Sequence, residues 1–552
     1  MQHDLTAEPA AAPSQGEATP AGPRRHPSVF EPATLALIIL LCVFGAIIGM
    51  QILVSLGVSA NTSLIGALAA MVLARIPLGL FARYRSIHVQ NLAQSAISAA
   101  TFGAANSLLL PIGIPYALGR PDLVLPMFGG IALAMLLDAY LLYRMFDSKI
   151  FPATGAWPPG VAAAEAIKAG DQGGRKAVLL GLGVAIGAVG SFFKIPMSAF
   201  GIAFIGNIWA LAMFGVGLLL RGYSTQLFGG DAFAGIIPGG DLAKAYIPHG
   251  VMIGAGLVAL LQVVQTILRK DTDSASRTQS DASLRRALGL GTVAYIALAV
   301  LIAVAGGVWA ELSWGMLIAF ILYAAFAAFV HELIVGLAAM HSGWFPAFAV
   351  ALITLVIGML VGFPPTALAA LVAFSAATGP AFADMGYDLK AGYILRGHGA
   401  DPAFERDGRR QQLLAAMVAF LVAIVVVFFS WQTFFAQDML PPVDRVYAAT
   451  IGAGVAPDVA RSLALWAIPG ALIQFLGGSK RQMGILFATG LLLAAPLAGW
   501  AVLAGILIRA VWTRWRGEEG RSEMEVVAAG IIAGDALFSF FDSVTRNLFG
   551  KR

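Results

Sequence analysis

The chain has 552 residues, of which 59% are hydrophobic and only 12% charged, with a mean hydropathy of +0.82. A soluble domain carries about 25% charged residues, so a water-soluble globular fold is excluded. The net charge of +5 is modest and gives no basis for nucleic-acid binding, while the single cysteine, Cys42, excludes an intramolecular disulfide and any cysteine-built zinc or iron–sulfur cage.

Residues 1–32 are rich in Ala, Pro, Glu and Ser and lack an apolar core, so they read as a disordered tail rather than a signal peptide. From Ala33 to Ala74 there is no Asp, Glu, Lys or Arg. A crossing helix needs about 20 apolar residues, so this stretch supplies two spans, the first holding Cys42 as a packed core residue. Apolar runs predict spans near 33–56, 61–81, 91–111, 122–146, 176–196, 197–220 and 244–268. After the polar linker Arg269–Arg286 come 287–310, 313–333, 344–362, 364–384, 412–436, 459–477, 482–511 and 524–548. Two further stretches, 158–170 and 225–241, read as short or broken membrane helices.

Short matches recur across the linker. SAAT at Ser98–Thr101 returns at Ser375–Thr378, and Pro158–Pro159 returns as Pro441–Pro442. GIAFIG from Gly201 returns as GILFATG from Gly484, and GVMIGAGL from Gly250 as GIIAGDAL from Gly530. The offsets stay between 277 and 283 and the matches keep chain order. The expectation is an all-α polytopic membrane protein of about 14–16 transmembrane helices in two homologous halves, with broken or re-entrant helices. The halves are residues 33–268 and 312–548, joined by the polar linker 269–286 and an extra helix over 287–311, with 549–552 as a short tail. Their relative orientation is left open. Such repeats are common in secondary transporters. Basic clusters at Arg75–Arg85, Arg269–Arg286 and Arg406–Arg410 suggest three cytoplasmic loops. The pairs Gly45/Gly49, Gly183/Gly187, Gly250/Gly254 and Gly530/Gly534 predict close helix packing.

The sparse charges mark candidate sites. In WPPGVAAAEAIKAG, Pro158, Pro159 and Gly160 suit a helix start, whose free N–H groups favour an anionic group of a cargo. Glu165 and Lys168, at i and i+3, share a face and could pair with each other or with cargo; a solvated loop pair is the plain alternative. Asp535 lies midway along an apolar run, with Asp542 two turns on. A charge at the bilayer centre costs about 2.5–3.5 kcal/mol, so an intramembrane carboxylate is a candidate for proton coupling, against a carboxylate merely bonded to a neighbouring helix. His331 and Glu332, with His341 ten residues on, read as cavity residues or as interfacial helix-end groups; position 335 is Val335, so no zinc-protease motif exists. Asp384 and Asp388, beside Tyr387 and Lys390, read as functional acids or as a solvated helix end. No phosphate loop, nucleophile elbow or kinase set occurs, so the chain is expected to be neither an enzyme nor an ATPase and to need no cofactor or bound metal.

From about Pro32 to Gly550 the chain resembles the oligopeptide transporter (OPT) superfamily, which includes the yellow-stripe-like carriers of metal chelates. PPGVAAAEAIKAG is similar to the PxGxAxAExLKAG stretch of prokaryotic members, with Glu165 and Gly170 matching. HVQNLAQSAISAATFGAANSLLLP resembles their Gln- and Ser-rich helix, and AYIPHGVMIGAGL their P-x-Y-I-G-V-G-F-M-I-G element. ADMGYDLKAGYILRG resembles A-x-D-x-x-Q-D-L-K-T-G-Y-x-x-G at Asp388, Leu389, Lys390, Gly392 and Tyr393, and AAGIIAGDAL resembles A-x-G-x-I-A-G-E-A-L with Asp535 for glutamate. It departs where many relatives carry an Asn-Pro-rich stretch, here GLAAMHSGWFPAFAV, and at Tyr387, where they have glutamine. The resemblance implies a carrier of about 16 spans in the bacterial inner (cytoplasmic) membrane, importing small peptides or peptide-like metal chelates with protons. Charge placement and the resemblance together make Gln94, Pro158, Pro159, Gly160, Glu165, Lys168, His331 and Glu332 the expected substrate-binding residues, and Asp535, Glu165 and Asp388 the expected proton-coupling ones. An uncoupled facilitator and a membrane scaffold are the rival classes; oligomeric state stays open.

Overall fold

Proline opens helix after helix along this chain, since its missing N–H is no loss in a first turn and its fixed φ suits the helix. The computed structural model describes residues 25–56, 83–268, 278–343, 346–454 and 457–549. The predicted span 61–81 lies outside these residues, as do 1–24 of the tail and 269–277 of the linker. In chain order the helices are α1 (Pro32–Leu56), α2 (Ile87–Phe102), a π-helical segment (Gly103–Leu109), α3 (Leu110–Ala117), α4 (Val124–Met145), α5 (Pro158–Gln172), α6 (Gly174–Phe192), α7 (Met197–Ala203), α8 (Ile208–Gly222) and α9 (Ile247–Leu268). There follow α10 (Asp281–Ala305), α11 (Trp314–Ser342), α12 (Ala347–Val361), α13 (Pro365–Ala377), α14 (Pro380–Leu395), α15 (Pro402–Ala436), α16 (Pro442–Ala453), α17 (Pro457–Gly477), α18 (Met483–Leu492) and α19 (Pro496–Phe549), the last interrupted at Gly517.

Among the described residues there is no strand, 11 helices are long and apolar enough to cross a membrane, and three shorter apolar helices accompany them. The chain is an all-α polytopic membrane protein. Several predicted spans are broken. The run 197–220 divides into α7 and α8, because Asn207 caps α8 by accepting the N–H groups of Trp209 and Ala210 at 3.1 and 3.2 Å. Pro496 separates α18 from α19. The stretch 225–241 forms no membrane helix: five helical residues, Ser224–Phe228, give way to two 3-10 turns in a glycine-rich path. The extra helix starts at Asp281, inside the predicted linker, because the Ser280 hydroxyl accepts the N–H of Ser283 and Asp281 suits the first turn. The predicted tail is docked from His26 onward, where the His26 and Val29 N–H groups donate to Asp407 and Gln411 of α15.

Two spans of 31 residues each, Ile87–Ala117 and Pro365–Leu395, run through the interior. Both are irregular near the middle. SAAT at Ser98–Thr101 precedes the π segment, and SAAT at Ser375–Thr378 precedes the break between α13 and α14. Gly379 turns that break with φ 98°, a left-handed conformation that a side chain would resist.

The glycine pairs do bring backbones together. A Cβ at Gly183 or Gly187 of α6 would overlap the backbone of Val527–Ile531 in α19, and one at Gly530 or Gly534 would overlap α6. Gly250 and Gly254 of α9 meet Trp466 and Ala467 of α17 in the same way. Contact this close gains dispersion energy where lipid offers no hydrophobic drive. At the polar end of the bundle Arg396 sits, fully buried, between Glu405 and Gln412, and Arg409 joins Glu405 to Asp147.

Candidate functional site

The start of α5 is fixed by Trp157. Its backbone is left-handed, with φ 40°, and its N–H donates to the Met340 carbonyl at 2.8 Å. The indole is fully buried among Phe146, Phe151 and Tyr387. Pro158 and Pro159 then begin the helix, and Gly160 lets it lie on α14: a Cβ there would overlap the Tyr387 carbonyl oxygen and stand 2.9 Å from Cβ of Lys390. One turn on, Lys168 Nζ donates to Glu165 Oε1 at 2.6 Å. Glu165 is nearly buried and Lys168 partly so, with Glu525 of α19 and His398 within electrostatic range. The pair is therefore neither a solvated loop pair nor free.

Between α2 and α14 runs a line of buried polar groups. Asn91 donates to Gln94, Gln94 donates to Asp388 Oδ1 at 2.7 Å, and Ser98 donates to Asp384 Oδ1 at 2.5 Å. Gln412 of α15 donates to the Asp388 carbonyl and to Ser95. Asp384 and Asp388, four residues apart, share a face and are both shut from solvent, which overturns the solvated helix end. Among the described residues neither has an ion-pair partner, and Asp384 Oδ2 has no hydrogen-bond donor. Lys390 turns away, donating to the Ala153 carbonyl at 2.8 Å.

The other predicted residues are dispersed. His331 is fully buried, its Nδ1 against the Ser375 carbonyl and hydroxyl, and Glu332 is held by Tyr295; neither is an interfacial helix-end group. Asp535 accepts from the Ser191 hydroxyl and, at 2.7 Å, from the N–H of Ser198 at the start of α7.

His341 lines a cavity of about 640 Å³ that forms where broken helices end. Its walls carry Lys149, Lys480, Asn207, Gln262 and Gln482, and no carboxylate among the described residues. Lys149 is neutralised by Asp281 at 2.7 Å, whereas Lys480 is exposed and makes no ion pair among the described residues. The wall is cross-linked by hydrogen bonds: the Gln474 amide donates to Gln262 and Gln482, and the Asn207 amide donates to the Lys480 carbonyl. Glu165, Lys168, Gln94 and the Pro-Pro-Gly turn do not line it. A surface cavity beside the exposed Arg445–Asp438 pair has no buried polar wall. No group of three or more His, Cys, Asp or Glu that could hold a metal occurs among the described residues.

The family model described as OPT oligopeptide transporter protein matches residues 32–238 and 241–545. The chain belongs to the OPT oligopeptide transporter family. No curated protein matches it. Membership makes it a multi-pass membrane transporter and not a member of an enzyme family. Three groups of this OPT chain come to notice only in the fold: Asp138, Tyr295 and Lys480. Asp138 is as isolated in its apolar run as Asp535, so charge isolation would have found it. Tyr295 and Lys480 carry no such signal, because only the fold brings them to a site.

Proposed function

We propose that the chain is a secondary active transporter that moves small oligopeptides, or peptide-like metal chelates, across the cytoplasmic membrane together with protons. The observation that carries this reading is the cavity at the helix ends, whose 640 Å³ falls in the range of about 300–1,000 Å³ usual for small-molecule sites. Lys480, the one wall cation unpaired among the described residues, suits a peptide carboxylate, and the carboxamide edges suit peptide N–H and carbonyl groups. Glu165 and Lys168 do not line this cavity and now satisfy each other, so they engage cargo termini at a separate stage, after the cargo has left Lys480 and their mutual pair has opened. Gln94 and Asp388 belong to the polar line behind α5, a path for a proton rather than for a peptide.

The test is acidification of proteoliposomes that hold an interior pH dye. Di- and tripeptides are compared with Fe(III)- and Zn(II)-chelates, with Glu165→Gln in parallel. Acidification driven by one cargo class and lost in the variant supports proton symport and names the cargo. Labelled cargo that equilibrates without acidification points to an uncoupled facilitator, and no cargo movement at all sinks the transport reading.

A further inference from the structure

Three side chains outside the cavity and the polar line meet in the interior: Asp138 of α4, Tyr295 of α10 and Glu332 of α11, all fully shut from solvent. The Tyr295 hydroxyl oxygen lies 2.5 Å from Asp138 Oδ1 and also touches Glu332 Oε2. Three oxygens in a row need two hydrogens to be attractive throughout, and a phenol supplies one. With both acids ionised, one of the two contacts would set lone pair against lone pair. A carboxyl proton must therefore be present.

Its position follows from the remaining oxygens. Asp138 Oδ2 accepts the backbone N–H of Gly379 at 2.5 Å, so Asp138 has a donor on each oxygen, as an ionised carboxylate needs. Glu332 Oε1, by contrast, is buried with no hydrogen-bond partner among the described residues, which suits the carbonyl oxygen of a neutral acid better than an anion. The arrangement is Glu332 O–H donating to the Tyr295 oxygen, and Tyr295 O–H donating to Asp138.

No cation among the described residues pairs with the triad: Arg144 of α4 donates to the Tyr140 hydroxyl, and Arg285 and Arg286 of α10 are exposed. Of the elements packed on α4, α13 and the π segment contain no titratable residue, and α3 offers only Tyr116, stacked on Phe435. The charges of α15 sit at its start, where Arg409 meets Asp147 beyond the end of α4, and Asp281 of α10 pairs with Lys149. In α14, Asp384 and Asp388 are held by Ser98 and Gln94, and Lys390 by Ala153. On α11, His331 is turned to Ser375, and α12 has no titratable residue.

We propose that Asp138, Tyr295 and Glu332 form an exchangeable-proton site that governs the break between α13 and α14. One further proton on Asp138 takes the triad from one negative charge to none, and its release restores that charge. The Gly379 N–H then loses an ionised acceptor, and hydrogen bonds to ionised groups are about twice as strong as neutral ones. Gly379 opens directly into α14, which carries Asp384 and Asp388, so occupancy of the triad biases the helix that borders the polar line.

This inference rests on the proton-coupled reading, and two readouts keep the two apart. The first is infrared difference spectroscopy of the purified full chain across the pH range of uptake, with Glu332→Gln, Tyr295→Phe and Asp138→Asn. Because Asp138 is the group that gains the proton, the expected result is a protonated-carboxyl difference band in the wild type that shifts in Glu332→Gln and in Tyr295→Phe and vanishes in Asp138→Asn. A wild type without that band, or a band indifferent to the variants, overturns the proposal. The second is cargo flux in proteoliposomes. Asp138→Asn is expected to lose proton-driven accumulation yet keep exchange of labelled for unlabelled cargo; accumulation equal to wild type overturns the coupling role. If the wild type never acidifies, the proton-coupled reading falls, while the infrared result still decides the triad. Should Glu332→Gln fail to fold, Tyr295→Phe, which keeps both acids, carries the spectroscopic test.

Discussion

Asp535 Oδ2 accepts the backbone N–H of Ser198 at 2.7 Å, while its other oxygen takes the Ser191 hydroxyl. The residue that looked most like a free intramembrane acid thus ties α19 to the joint between α6 and α7. Both carboxyl oxygens accept a hydrogen bond, and each such bond contributes about 0.5–1.5 kcal/mol, up to about 3 where a partner is charged. Asp535→Asn is expected to lower thermal stability by that order while leaving the pH dependence of uptake intact. A flattened pH profile at unchanged stability would instead make Asp535 the proton carrier.

The Pro-Pro-Gly turn is as much a packing device as a site. Gly160 has no room for a methyl group, since the atoms in its way are the Tyr387 backbone carbonyl and the stem of Lys390. Overpacking of this kind costs about 1–3 kcal/mol. Gly160→Ala should lower the melting temperature of the purified protein and, by pushing α5 off α14, reduce uptake. An unaltered melting curve would mean that the helices separate freely there.

How far the fold was legible depends on the range of each signal. Proline starts at Pro158, Pro365 and Pro402 and the glycine pairs of α6, α9 and α19 are local patterns, and the structure places helices and close contacts on them. The broken spans were less legible, because one side chain such as Asn207 stops a helix that hydropathy would continue. The triad was illegible for another reason: Asp138 and Tyr295 are 157 residues apart in sequence, and no local pattern links them. Likewise Glu165 and Lys168 were readable as a pair, but not that they stand apart from the cavity.

The docked segment before α1 should respond to pH. His26 packs 5.1 Å from the His88 ring and 5.4 Å from Phe404, and its N–H binds Asp407. Burial is the main cause that lowers its pKa to about 4; Arg396 and His88 add to this, while the Pro27 carbonyl and Asp407 oppose it. The folded value lies below the unfolded value of about 6.5, so the undocked state takes the proton first. The contribution is complete above pH 6.5 or so and is lost as pH falls towards 4, up to about 3 kcal/mol. Hydrogen exchange at residues 26–31, taken relative to the intrinsic rate at each pH, should accelerate between neutral and acid pH in the wild type and stay flat in His26→Phe. Equal acceleration in both would assign the effect to another group.

Lys480 is the last group to test, because the cavity reading leans on it. It is the only wall cation without an acidic partner among the described residues, and its side chain is exposed, so removing it leaves no buried charge stranded. Folding should be unaffected. If Lys480 meets a cargo carboxylate, Lys480→Ala raises KM for carboxylate-bearing peptides roughly tenfold, equivalent to about 1.4 kcal/mol. Peptides with an amidated C-terminus bind through the carboxamide wall alone, so their KM should hardly move. Concentration-dependent uptake of the two peptide forms reads this directly. An equal rise for both would mean that Lys480 acts on the shape of the cavity, and no rise for either would move the cargo carboxylate to another part of the molecule.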